Sequence, residues 1–136
     1  KLKFGENVNM AYEILWDGDC VTTFWSGKPT YEENIEANGV IYGDKRFDKL
    51  SYEISVILDV DLSKFDFKKA RIVAELDKQS AIWNKQVCAI HVTKNHDALE
   101  LVKVYEEVMQ GSGWTFETFD TLEEATAFVE MKRMSK

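Results

Sequence analysis

The chain has 136 residues, 45% hydrophobic and 30% charged, with a formal net charge of −7. That length suits one domain able to bury roughly two-thirds of its unfolded surface. The acidic balance argues against nucleic acid and anionic membrane surfaces as partners, since both need clustered Lys and Arg. It permits a basic protein partner, although plain solubility asks for the same charge.

The first segment, Lys1 to Met10, has no apolar core and does not read as a signal peptide. Residues 1–10 are expected to be a flexible lead, with Met10 a possible internal start, and residues 11–136 one domain. No run approaches the ~20 apolar residues of a membrane span. Cys20 and Cys88 sit in apolar strand-like runs and read as small buried hydrophobes. That usage suits a reducing cytoplasm.

In chain order, Ala11 to Trp16 and Cys20 to Ser26 read as two strands joined at Asp17-Gly18, a strong hairpin signal. The two-residue period puts Tyr12, Ile14 and Trp16 on one face. Pro29-Thr30 opens a helix, with Thr30 and Glu33 at capping-box spacing. Gly43 is its expected stop, although Gly39 weakens it by about 1 kcal/mol and could end it sooner. Ser51 to Val60 is a strand. Asp66 to Ile82 is helical, with an inner stripe of Phe67, Ala70, Val73, Ala74 and Ala81. Trp83-Asn84-Lys85 is a turn. Gln86 to Thr93 is a strand apolar enough for burial on both faces. Asn95 caps a helix from His96 to Gln110, whose wide stripe of Ala98, Leu101, Val102, Tyr105, Val108 and Met109 could exceed what one sheet face covers. Gly111-Ser112-Gly113 breaks it. Trp114 to Phe119 is the last strand, and Thr121 with Glu124 caps the last helix, whose inner face is Leu122, Ala125, Phe128 and Val129.

The order is ββαβαβαβα. Right-handed β-α-β crossovers make the later strands parallel, and the hairpin makes the first antiparallel. The fold class is therefore α/β: a mixed sheet of about five strands flanked by four helices.

No catalytic set, metal-ligand cluster or phosphate-binding glycine loop stands out, so neither enzyme activity nor a cofactor is expected. Asp59 and Asp61, at a strand end, are too few for an oxygen cage. His91 and His96 with Asp97 lack a third convergent ligand, and core packing and capping account for them. Lys68, Lys69 and Arg71 cluster where positive charge opposes the helix dipole. They read as solvated surface or as recognition of an acidic group. Trp83, in a polar turn, is the aromatic expected to be partly exposed as a contact anchor.

Three segments carry a family resemblance. Thr30-Tyr31-Glu32-Glu33 opens the first helix, Asp61-Leu62-Ser63-Lys64-Phe65-Asp66-Phe67 links strand to helix, and Phe119-Asp120-Thr121-Leu122-Glu123-Glu124-Ala125 opens the last helix. With the element order, from Tyr12 to Val129, they resemble the STAS-like family: SpoIIAA-type anti-sigma-factor antagonists and their SpoIIAA-like relatives. Leu101 to Glu106 is also similar to the relatives' third helix. The resemblance implies a non-enzymatic regulatory or protein-interaction module in the bacterial cytoplasm. In phospho-switch members a serine follows the phenylalanine of the linking segment. Here Lys68, Lys69 and Ala70 follow Phe67, so that switch is not expected. Ser63, earlier in the loop, is explained by a local turn hydrogen bond. The expected partner surface is Asp61, Ser63, Lys64, Phe65, Lys68 and Lys69, with Trp83 nearby. The architecture is also similar to CRAL-TRIO lipid-binding domains, which implies a small apolar ligand as the alternative. Self-association through an exposed apolar patch is the third expectation.

Overall fold

The computed structural model describes residues 11–135, and the expected lead at residues 1–10 lies outside them. The strands are β1 (Tyr12–Asp17), β2 (Cys20–Gly27), β3 (Tyr52–Val60), β4 (Cys88–Val92) and β5 (Thr115–Phe119). The helices are α1 (Tyr31–Tyr42), α2 (Ala70–Ser80), α3 (His96–Val108) and α4 (Leu122–Met134). One five-stranded sheet runs in the order β1-β2-β3-β4-β5. β1 is antiparallel to β2, and the other pairs are parallel. The expected α/β class and mixed sheet are what the chain adopts.

The hairpin turns one residue later than expected. Asp17 pairs with Cys20, so Gly18 and Asp19 form the turn. Only Gly18 has positive φ, at 59°. That fits a turn with glycine at its first central position rather than one needing positive φ twice. Both expected capping boxes form, at Thr30 with Glu33 and at Thr121 with Glu124. Gly39 does not end α1, which runs to Tyr42.

Three right-handed crossovers in succession, each to the next strand, place α1, α2 and α3 on one sheet face. α4 folds back on the other. There Ala125 and Val129 pack on Ile54, Val56, Ile90 and Val92, with Cys20 and Cys88 buried beside them as free thiols. Arg133 fastens α4 to the hairpin by bonding the Asp19 carboxylate at 2.5 and 3.0 Å and the Asp17 carbonyl at 3.1 Å. Under the three helices, Val21, Ile41, Phe47, Leu50, Ala89, Met109 and Trp114 form a second apolar core at the amino ends of the parallel strands. Asn84 closes that end. Its side-chain amide donates to the Phe47 and Leu50 carbonyls, and its backbone carbonyl accepts from the Trp114 indole at 2.7 Å.

Two apolar expectations need correction. Phe67 is not on the inner stripe of α2. Asp66 caps a short 3-10 turn, Phe67–Lys69, by accepting from the Lys68 amide, and α2 begins only at Ala70. The turn swings Phe67 outward, leaving it 42% exposed. The wide stripe of α3 is not left bare either. Ala98, Val102, Val108 and Met109 are buried, and none of the exposed large hydrophobic side chains lies on α3. α2 packs alongside α3 as well as the sheet, which supplies the extra cover.

Candidate ligand-binding site

Toward the carboxyl ends of the parallel strands the sheet face under α1, α2 and α3 is not filled. A cavity of about 110 Å³ lies there, in the region where α/β domains collect ligands. Two features open it. The helix positions facing it include Ala70 and Ala74 of α2 and Ala98 of α3, whose side chains are too short to reach the floor. The sheet also loosens. β3 pairs with β4 only as far as Val56, and its register with β2 shifts between Phe24 and Ser26. The Ile57 carbonyl is taken up instead by the Thr93 hydroxyl at 2.7 Å. Such irregularities commonly sit beside functional sites, where they re-aim side chains.

The floor is polar. Glu53 and Ser55 project from β3, and His91 from β4, where it is registered beside Ser55. Glu53 and His91 therefore stand diagonally on neighbouring strands, with Cα atoms about 8 Å apart by strand spacing and rise. Asp77 of α2 and Tyr105 of α3 complete the wall. Asp77 is buried and accepts from the Asn38 amide of α1 at 2.7 Å. The His91 and Tyr105 rings meet edge to face at 5.3 Å.

Three buried side-chain atoms among the described residues lack partners, the Tyr42 hydroxyl and two that line the cavity. Glu53 Oε2 and His91 Nδ1 are buried and make no hydrogen bond. Burial pushes the Glu53 carboxyl up to about 7 and the His91 imidazole down to about 4. Burial also raises Asp77 well above the usual carboxylate range, with the Glu53 charge adding to it. The nearby Tyr42 phenol and the Asn38 bond oppose that rise without cancelling it. Desolvation disfavours the charged form of each group, so the cavity prefers neutral side chains. An unpaired buried polar atom costs about 1–3 kcal/mol. Groups of this kind are enriched at functional sites.

The expected surface segment lies at the cavity's mouth. Phe65 and its buried neighbour Leu62 line it. Asp61 and Ser63 form a local turn, the Asp61 carboxylate accepting from the Ser63 amide at 2.9 Å. Ser63, Lys64 and Lys68 are exposed, and Lys69 lies over the Tyr31 ring at 4.6 Å while pairing with Asp66 at 4.0 Å. Arg71 is drawn to Glu107 of α3 at 3.3 Å. Trp83 is 80% exposed but is not near this segment. All of α2 separates them, about 16 Å for eleven residues. Trp83 borders instead a groove between α1 and α2 with Ile35, Leu76 and Ile82.

His91 is a correction to the expectation of plain core packing, because its Nδ1 meets no partner and the ring lines a cavity. His96 is exposed at the start of α3 beside Asp97 and does not approach His91's cavity. Glu53, Asp77 and Asn38 did not stand out in the sequence. No group of three or more His, Cys, Asp and Glu side chains among the described residues is arranged to hold a metal ion. No described helix is long and apolar enough to cross a membrane. No family model, curated protein or solved structure matches the chain.

Proposed function

We propose that this chain is a non-enzymatic, ligand-binding regulatory module. A compact polar molecule occupies the cavity, and the Asp61 to Lys69 segment at its mouth presents the bound state to a protein partner. The observation that carries this reading is the pair of buried, unpartnered atoms, Glu53 Oε2 and His91 Nδ1, in a single cavity. A ligand that satisfies both recovers a cost that the empty fold bears. The polar floor favours such a ligand over the purely apolar one of a lipid carrier. The STAS-like resemblance supports the regulatory part, and the two buried free thiols are compatible with a reducing cytoplasm.

Ala74 is 1% exposed and faces the cavity, so Ala74→Leu is a direct test. Small polar molecules should raise the melting temperature of the wild type and not of the variant. If every stabilising molecule acts equally on both, or none acts on either, the cavity is not the binding site.

A partner at the mouth is favoured by one further observation. Phe67 is 42% exposed and makes an edge contact with Phe65 at 5.8 Å, so two aromatic rings stand among Lys64, Lys68 and Lys69. Aromatic and cationic groups together suit an acidic partner. Replacing Phe67 and Lys68 with alanine should abolish capture of an acidic partner from lysate while leaving the fold intact. Unchanged capture would remove the segment from consideration.

A further inference from the structure

We infer that the cavity recognises a small organic cation, a primary ammonium or guanidinium group on a short stem, with the Glu53 carboxylate as its counter-charge. The inference rests on the ligand-binding reading above and names the chemical class of the ligand.

The first ground is the charge of the wall. Two carboxyl groups, Glu53 and Asp77, face one space, and none of the described residues lining it is a Lys or Arg. The groups that face Glu53 are His91 from β4, Asp77 from α2, Tyr105 from α3, and Asn38 with Tyr42 from α1. None brings a positive charge at neutral pH. An anionic ligand would meet two acids and no counter-ion, whereas a cation supplies the missing charge.

The second ground is hydrogen-bond polarity. Glu53 Oε2 is unpartnered in a side chain only 8% exposed. His91 Nδ1, also unpartnered, accepts in one neutral tautomer. An ammonium has three donors and no acceptor, and a guanidinium five donors and none, so either matches the two unpartnered atoms once Glu53 is ionised and His91 carries its proton on Nε2. Asp77 keeps its bond from Asn38 and need not rearrange.

The third ground is the remaining lining. Trp25, Phe65 and Tyr105 place aromatic surface around the space. Ring faces attract cations, more strongly where water is excluded.

The electrostatics agree. The elevated Glu53 carboxyl and the depressed His91 imidazole leave the empty site uncharged when mildly acidic. Cation binding then ionises Glu53 and expels its proton to solvent.

Titration calorimetry with propylammonium, propan-1-ol and propanoate, which are close in size, tests this. Propylammonium should bind, releasing close to one proton at about pH 6, read from the dependence of the heat on buffer ionisation enthalpy. Its affinity should fall about tenfold between about pH 8 and pH 6. Glu53→Gln should weaken it at least about thirty-fold, as expected for a buried charge pair that loses one partner. Ala74→Leu should abolish it. If propanol or propanoate binds as tightly and Ala74→Leu blocks it, the cation inference is overturned while the cavity reading stands. Propylammonium binding without proton release, or unaffected by Glu53→Gln, also overturns it. If none of the three binds, both readings fail.

Discussion

Replacing Glu53 with glutamine should change the pH dependence of stability more than stability itself. The substitution keeps the shape and removes the ionisation. In the unfolded chain the Glu53 carboxyl titrates near 4.5, and in the fold burial carries it to about 7. Between those values the folded state holds more protons than the unfolded state, so stability falls as pH rises. The contribution is fully present below about pH 4.5 and is lost as pH passes through about 7. At about 1.36 kcal/mol per pH unit the span is worth about 3 kcal/mol. His91 works in the opposite sense. Its imidazole moves from 6.5 down to about 4, so the unfolded state holds more protons there and stability rises with pH over that interval. The two slopes oppose each other over most of the mildly acidic range, and the wild-type curve alone conceals both. The difference between wild type and Glu53→Gln isolates one. Urea unfolding without added ligand at about pH 4.5, 6 and 8 should show the variant gaining about 3 kcal/mol on the wild type across the series. A difference that stays constant within about 0.5 kcal/mol would mean that Glu53 does not titrate in a buried site, and the cation argument would lose its counter-charge.

Asn84→Ala should cost about 2–4 kcal/mol in urea unfolding, because it strands the Phe47 and Leu50 carbonyls that its amide serves. Gly113→Ala should cost about 2 kcal/mol by the same measurement: φ is +97°, and an added Cβ would lie 2.9 Å from the Lys85 carbonyl oxygen. Arg133→Ala should cost only about 1 kcal/mol, since its bonds to Asp19 are partly exposed, and should raise amide exchange in the β1–β2 hairpin. Trp83→Phe should leave the unfolding midpoint unchanged and remove the component of tryptophan emission most accessible to acrylamide, because Trp83 is 80% exposed whereas Trp114 is 5%.

The frame of the fold is legible because local signals agree with the tertiary ones. Thr30 with Glu33, Thr121 with Glu124 and the Asn95 cap mark three helix starts by side-chain bonds that the structure contains. The site is less legible because its residues lie far apart in sequence and follow the wrong template when read singly. Glu53 and Ser55 alternate with Tyr52, Ile54 and Val56, which looks like a strand with one wet face. Strand β3 is central, however, and helices cover both its faces, so the alternation turns polar groups inward. A signal was available. Asp77 falls in the same 3.6-residue stripe as Ala70, Val73 and Ala74, and a carboxylate on a helix's inner stripe needs a partner or a purpose. His91 breaks the apolar run of β4 on the same face. What the sequence could not supply is the register that sets Ser55 beside His91, nor the separation of Trp83 from the Asp61 to Lys69 segment by the length of α2.

The two sheet faces are unequal in a way that bears on function. Against α4 the floor is Cys20, Ile54, Val56, Ile90 and Val92, closed by Ala125 and Val129 with no unpartnered side-chain atom in that cluster. That face is explained by stability alone. Under the three crossover helices, an apolar core fills the amino ends of the strands. Filling the space with leucines at positions 74 and 98 and apolar residues at 53 and 91 would be the more stabilising choice. The chain instead keeps alanines above and ionisable groups below, and bears the cost of Glu53 and His91 without partners. A second species that satisfies both groups removes that cost. A neutral donor recovers the hydrogen bonds, whereas a cation recovers them and also supplies the counter-charge that favours ionised Glu53.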